Sequence, residues 1–239
     1  MQQSINTQKS KKTMSTRVVA QIGILAAISY FLRFIEVPLP IFPSFLKLDF
    51  SDIVAVFGGL SMGAVPGFII VVIKNLLQAV SGSTTGGVGE IANILIAGPY
   101  VLMICFICRK VKSYKNVLIG GIVGTIFMAL VGAVVDYYIV FPLYALVMPM
   151  DVIINMGTVL NPKVTDLFTF MIWIVIPFNL LKGAIMTVVI LPLYKKMEKI
   201  LEKAPKIKII FFDIDDTLRV KDSAFMPESI TEVFYKLRE

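Results

Sequence analysis

Ser83-Thr84-Thr85-Gly86-Gly87-Val88-Gly89-Glu90 separates two long apolar runs, residues 67–80 and 89–108. Those runs decide the fold class. Several such stretches in this chain approach the roughly 20 residues that an α-helix needs to cross a bilayer. Between them, three glycines in four residues let the backbone bend tightly and approach a ligand closely. Glu90 then opens the next helix, where a carboxylate suits the positive end of the helix dipole. Two readings stay open for this turn. It is a binding element at the mouth of a membrane bundle, or a helix connection with a capping glutamate.

Composition points the same way. Hydrophobic residues make up 57% of the chain and charged ones 16%, against about a quarter charged in soluble domains. Mean hydropathy is +0.84. This describes an all-α membrane protein embedded in a lipid bilayer. The polar start, with no small-residue cleavage pattern after the first apolar run, predicts no cleavable signal peptide. The net charge of +7 is spread over short segments, so no nucleic-acid partner is expected. Cys105 and Cys108 form a lone pair in an apolar helix end, and the chain has no histidine. A zinc or redox site needs more ligands, so both cysteines read as core residues and no metal is expected.

Taken in order, residues 1–14 read as a cytoplasmic tail and 15–200 as the membrane domain. Six transmembrane helices are expected over about 16–36, 51–62, 67–80, 89–108, 116–141 and 167–194. Arg33 and Glu36 are spaced to pair at i, i+3. Gly23 and Ala27 give a small-xxx-small spacing that allows close helix approach in lipid, within the bundle or to a partner. Pro38, Pro40 and Pro43 forbid a helix and predict an ordered loop presenting Phe45-Leu46-Lys47-Leu48-Asp49. Lys74 lies inside the third apolar run. It either faces a polar partner or cavity, or snorkels to the surface. Residues 142–166, with Pro142, Pro149 and Pro162, read as a long loop.

Three basic clusters set the orientation. They are Lys9, Lys11, Lys12 and Arg17; Arg109, Lys110, Lys112 and Lys115; and Lys195, Lys196 and Lys199. Six spans put all three on the cytoplasmic side, with both termini. The proline loop, the glycine turn and the 142–166 loop then share the outer face. That face collects Lys47, Asp49, Glu90, Asp136 and Asn179, with Lys182 and Lys74 nearby. Phe45, Leu46, Leu48, Tyr137, Tyr138, Tyr144 and Trp173 surround them. Such a mixture suits a flat, partly aromatic solute with hydrogen-bonding edges and hydroxyls. No G-x-x-x-x-G-K-[ST] is present, so ATP-driven work must come from another subunit.

Four blocks carry a resemblance: Phe45-Leu46-Lys47-Leu48-Asp49-Phe50-Ser51-Asp52, Ile73-Lys74-Asn75-Leu76-Leu77, Ser83 to Glu90, and Asn179-Leu180-Leu181-Lys182. Together they resemble the substrate-binding S component of energy-coupling factor (ECF) transporters, in its riboflavin-specific branch, over residues ~15–200. The resemblance implies a multi-pass protein of the bacterial cell membrane with riboflavin as transported ligand rather than cofactor. It also implies a transmembrane coupling subunit and two cytosolic ATPases as partners. It places Leu46, Lys47, Asp49, Gly87, Glu90, Asn179 and Lys182 at the vitamin. One position departs: in the family an asparagine precedes the aromatic pair on helix five, and here it is Asp136. An ionised Asp accepts from a ring N–H but cannot donate to a ring carbonyl. An S component for a different vitamin therefore remains an alternative. FMN is expected to fit less well, by repulsion between its phosphate and Asp49 and Glu90.

Past a linker at 201–206 the character changes. Ile207 to Phe212 reads as a short strand and Ile230 to Arg238 as a helix, a small β-α unit. Asp213-Ile214-Asp215-Asp216-Thr217-Leu218 resembles the first motif of haloacid-dehalogenase (HAD) superfamily phosphatases. The resemblance implies a nucleophile at Asp213 and an acid/base at Asp215, acting with Mg²⁺ in a complete domain. The other motifs of that fold find no residues here, so 207–239 is expected to be a truncated HAD-like fragment without activity. The chain is expected to be no enzyme, and a membrane-anchored phosphatase is the alternative that the missing motifs oppose.

Overall fold

The computed structural model describes residues 14–83 and 85–203, with side chains to 196. The tail at 1–13, Thr84, the rest of the linker and the HAD-like stretch at 207–239 lie outside the described residues. The described residues up to Glu198 belong to one compact unit, which holds the cavity.

The chain is mainly helical. Ser15 caps α1, Thr16–Arg33, its side chain accepting from the Val18 N–H. After a short hairpin come α2, Ser51–Met62, and α3, Ala64–Gly82. The α3 helix starts three residues earlier than the sequence suggests. Pro66 sits in its first turn, where a missing N–H costs nothing. Gly63, at φ 112°, links α2 to α3 without a loop. The two helices then cross at Gly59 and Gly67, where a Cβ on Gly67 would stand 2.7 Å from the Gly59 Cα. Backbones that close leave no room for a side chain. Next are α4, Val88–Ile107, and α5, Tyr114–Val135. The α5 helix continues through a π-helical stretch, Asp136–Val140, into α6, Phe141–Tyr144. After α7, Met150–Leu160, come α8, Leu167–Phe170, a second π stretch, Met171–Val175, and α9, Ile176–Lys203.

Among the described residues, four helical segments are long and apolar enough to cross a membrane: Ala64–Gly82, Val88–Ile107, Tyr114–Tyr144 and Leu167–Lys196. The helices at Thr16–Leu32 and Ser51–Met62 are apolar but shorter. Each π stretch ends two residues before a proline, Pro142 or Pro177. A proline ring cannot donate to the carbonyl four residues back and collides with it. A wider turn just before the ring relieves that collision, and π turns often mark functional positions. Asp136 opens the first of them.

One expectation needs correction. The 142–166 segment is not a plain loop. It continues the fifth helix to Tyr144 and then forms α7, which Pro149 starts rather than prevents. The proline loop is non-helical, as expected, and its order comes from a short hairpin. Glu36–Pro38 (β1) and Lys47–Asp49 (β2) pair antiparallel, with Glu36 opposite Asp49 and Pro38 opposite Lys47. Strands of three residues are too short for alternation to show in a sequence. Across the hairpin Lys47 Nζ donates to Glu36 Oε2 at 2.7 Å.

The apolar interior forms two clusters. One, around Val56, Ile70, Tyr100, Ile104 and Met186, joins α1 to α5 with α9. The other, around Phe42, Phe141, Ile153, Phe170 and Phe178, packs the hairpin loop against α6, α7, α8 and the start of α9. Cys105 and Cys108 are buried and unbridged, as core residues should be.

Candidate functional site

A cavity of about 530 Å³ opens at one end of the bundle, within the roughly 300–1,000 Å³ typical of small-molecule sites. Its walls come from the end of α1, the hairpin, the end of α3, the start of α4, the π stretch after α5 and the start of α9. The basic loop between α4 and α5 is at the opposite end and is exposed at Arg109 and Lys110. Phe45, Leu46, Phe141, Tyr144 and Phe178 supply the apolar and aromatic wall.

Seven sequence-predicted residues line this one space: Leu46, Lys47, Asp49, Glu90, Asp136, Asn179 and Lys182. Gly87 does not. It takes φ 90° as the residue preceding α4, a left-handed conformation that glycine adopts without strain, and its N–H donates to Ser83 Oγ at 2.8 Å. Its role is to shape the turn. Thr85 and Gly89 line the cavity instead. Tyr138 points outward at 71% exposure, and Trp173 lies on the outside under Lys163, 4.5 Å from the ring centre. Tyr137 and Leu48 pack in the second apolar cluster.

Glu90 holds the glycine turn together. Its Oε2 accepts from Ser83 Oγ at 2.7 Å and Thr85 Oγ1 at 3.2 Å, while Oε1 lies 3.9 Å from Arg33 Nη2. It ties the turn closed, as the helix-connection reading expects, and it also faces the cavity.

Below the cavity floor sits an ion cluster that sequence pattern does not assemble. Lys74 is fully buried. It donates to Asp52 Oδ1 at 2.5 Å, to Asp49 Oδ2 at 3.3 Å and to Ser51 Oγ. It therefore has polar partners and does not snorkel. Asp49 also accepts from the Ser51 N–H and hydroxyl at 2.7 and 2.8 Å. Burial alone would raise the Asp49 carboxyl. The Lys74 and Lys182 ammoniums and the Ser51 hydrogen bonds outweigh it and hold the group well below the usual carboxylate range. Arg33 pairs with Glu36 at 3.7 Å, as its spacing predicts. It also donates to Asn75 Oδ1 at 2.6 Å, a long-range contact with no local sequence signal.

Asp136 and Asn179 differ from the rest. They are 5% and 4% exposed. Among the described residues neither side chain has a hydrogen bond or ion pair. Both face the cavity. Buried polar groups without partners are rare and costly, and two lining one cavity ask for a ligand with both a donor and an acceptor. Gly132 makes the room: a Cβ there would meet Asn179 Nδ2 at 2.7 Å.

Residues 17–194 match the family model described as the ECF transporter, substrate-specific component. The chain belongs to this family. It is thus a transporter substrate-binding component of the cell membrane rather than an enzyme. Among its relatives, the riboflavin transporter RibU of Staphylococcus aureus (strain TCH60) is 30% identical over 199 residues, 83% of this chain and 96% of the relative. A solved S component of a bacterial ECF transporter shares the fold at a TM-score of 0.63 and 30% identity. That likeness covers 78% of this chain and 98% of the solved one. A 40-residue stretch is 65% identical to a bifunctional phosphatase/peptidyl-prolyl cis-trans isomerase of Streptococcus pyogenes serotype M6. That stretch is 17% of this S component and 8% of the relative.

Proposed function

We propose that this S component captures riboflavin in the cavity at the outer face of the membrane. The carrying observation is the unpartnered pair Asp136 and Asn179 in an aromatic-walled cavity. A flavin's ring edge has one N–H between two carbonyls. Asp136 is the acceptor such an N–H needs, and the Asn179 amide is a donor for a carbonyl. Leu46, Phe45 and Tyr144 offer apolar surface to the ring face. Lys47, Asp49, Glu90 and Lys182 are left for the hydroxyls. The lining holds four carboxyls against three cations, so the added charge of FMN is unfavourable. The test is competition: riboflavin displaces bound flavin best, FMN at least about tenfold less well, which is ~1.4 kcal/mol, and thiamine or biotin not at all. Displacement by another vitamin ahead of riboflavin would transfer the site to that ligand, the reading that Asp136 keeps in view.

Six membrane spans complete the proposal, the shorter α1 and α2 joining the four long helices. The exposed basic loop between α4 and α5 then faces the cytoplasm, as do both termini. A cysteine placed at Lys110 should react with a membrane-impermeant maleimide only after cells are opened. One at Ile41, 66% exposed beside the hairpin, should react in intact cells. The reverse pattern would invert the topology. The native cysteines are buried and give little background.

The ATPases and coupling subunit are supplied by other chains in this reading. Residues 15–200 make up the membrane domain in this reading, and 207–239 are assigned by resemblance to the start of a HAD-type phosphatase. The match to the streptococcal phosphatase-isomerase supports the last assignment.

A further inference from the structure

The two lysines of the ion cluster use their charge differently. An ammonium has three N–H donors. Lys74 directs its donors at Asp52, Asp49 and Ser51, and none of it is exposed. Lys182 lies 3.4 Å from Asp52 Oδ2 yet donates it no hydrogen bond, and that oxygen has no hydrogen-bond partner. Lys182 lines the cavity, and Lys74 does not. Asp49 also lies 4.0 Å from Arg33 Nη1, but Asp52 pairs with Lys74 and Lys182, and of these only Lys74 gives it a hydrogen bond.

We propose that Lys74 is a positioning residue that satisfies Asp49 and Asp52 so that the Lys182 ammonium stays available to the ligand. Without Lys74, Asp49 would keep Arg33, whereas Asp52 would be left with Lys182 as its cation. Asp52, fully buried beneath the floor, would draw the ammonium inward, because a buried charge left unpaired is far costlier than a lost surface contact. Lys74 would then control binding without touching the ligand.

The proposal rests on riboflavin as ligand, and a double-mutant cycle tests it by flavin titration of purified chain. Lys182→Met should weaken binding at least about tenfold, the loss of a charged hydrogen bond. Lys74→Met should weaken it by a similar factor. The double variant Lys74→Met/Lys182→Met should be no weaker than Lys182→Met alone, because both changes remove one contact. Lys74→Met/Asp52→Asn removes one charge of each sign, including the carboxylate that pulls Lys182 inward, and should regain most of the affinity. A purely structural lysine would give multiplying losses and no regain, and either result overturns the proposal. Where Lys74→Met alone gives no monodisperse protein, Lys74→Met/Asp52→Asn carries the test. Affinity near wild type is then expected, and affinity as low as that of Lys182→Met contradicts it. Wild-type protein that binds no riboflavin sinks the vitamin assignment and this role with it; wild-type binding with multiplying losses sinks this role alone.

Discussion

Asp52→Ala should be the most destabilising single change at this end of the bundle, costing about 3–5 kcal/mol, as expected when one partner of a buried ion pair is removed. Asp52 is fully buried, and its two oxygens lie 2.5 Å from Lys74 and 3.4 Å from Lys182. Alanine would take the shared carboxylate from Lys74 and Lys182 and leave them Asp49, which Arg33 already approaches at 4.0 Å, with a void where the carboxylate had been. Domains of 150–250 residues lose roughly 2–4 °C of Tm per kcal/mol. Thermal unfolding in detergent should therefore fall by about 10 °C. A fall below about 2 °C would show that the cluster is not holding α2, α3 and α9 together. Asp52→Asn separates charge from shape, because it keeps the volume and one acceptor and should cost less than alanine.

The second large effect is on binding. Asp136→Ala/Asn179→Ala should weaken riboflavin affinity by about 100-fold, since each buried hydrogen bond is worth roughly 1–1.5 kcal/mol and tenfold is 1.4 kcal/mol. Stability should change little, because among the described residues neither side chain holds another by a hydrogen bond or ion pair. That split distinguishes ligand contacts from structural ones, and Asp52 is the opposite case. Loss of binding together with a large fall in Tm would move Asp136 and Asn179 into the structural group. Glu90→Ala is intermediate. It should weaken binding about tenfold or more, partly by releasing the turn that its Ser83 and Thr85 contacts hold.

Much of this arrangement is legible in the sequence because lipid imposes simple rules. A long apolar helix needs no tertiary partner to be recognised, so Ala64–Gly82, Val88–Ile107, Tyr114–Tyr144 and Leu167–Lys196 show in hydropathy alone. Basic clusters fix which loops share a side, and that brings the hairpin, Glu90, Asp136 and Asn179 to one end. What the pattern misses is short or distant. The α7 helix is an 11-residue segment between Pro149 and Pro162, where prolines read as loop although one of them begins the helix. The hairpin strands are below the length at which a period exists. Asp52 and Arg33 escape assignment because their partners lie 22 and 42 residues away, at Lys74 and Asn75. Gly87 reads as a ligand contact from its neighbours, but a glycine's positive φ serves a turn whether or not a ligand is near.

Capture of riboflavin by this chain alone is decided by titrating the purified, ligand-stripped wild-type protein with the vitamin and following the quenching of its own fluorescence. Trp173 is a poor reporter, since it lies outside the cavity under Lys163. Saturable quenching is expected with a submicromolar Kd, about −8 kcal/mol or better, at one vitamin per chain, and the protein should be yellow before stripping. A monodisperse sample that neither carries flavin nor quenches it at micromolar concentration would rule riboflavin out as the ligand.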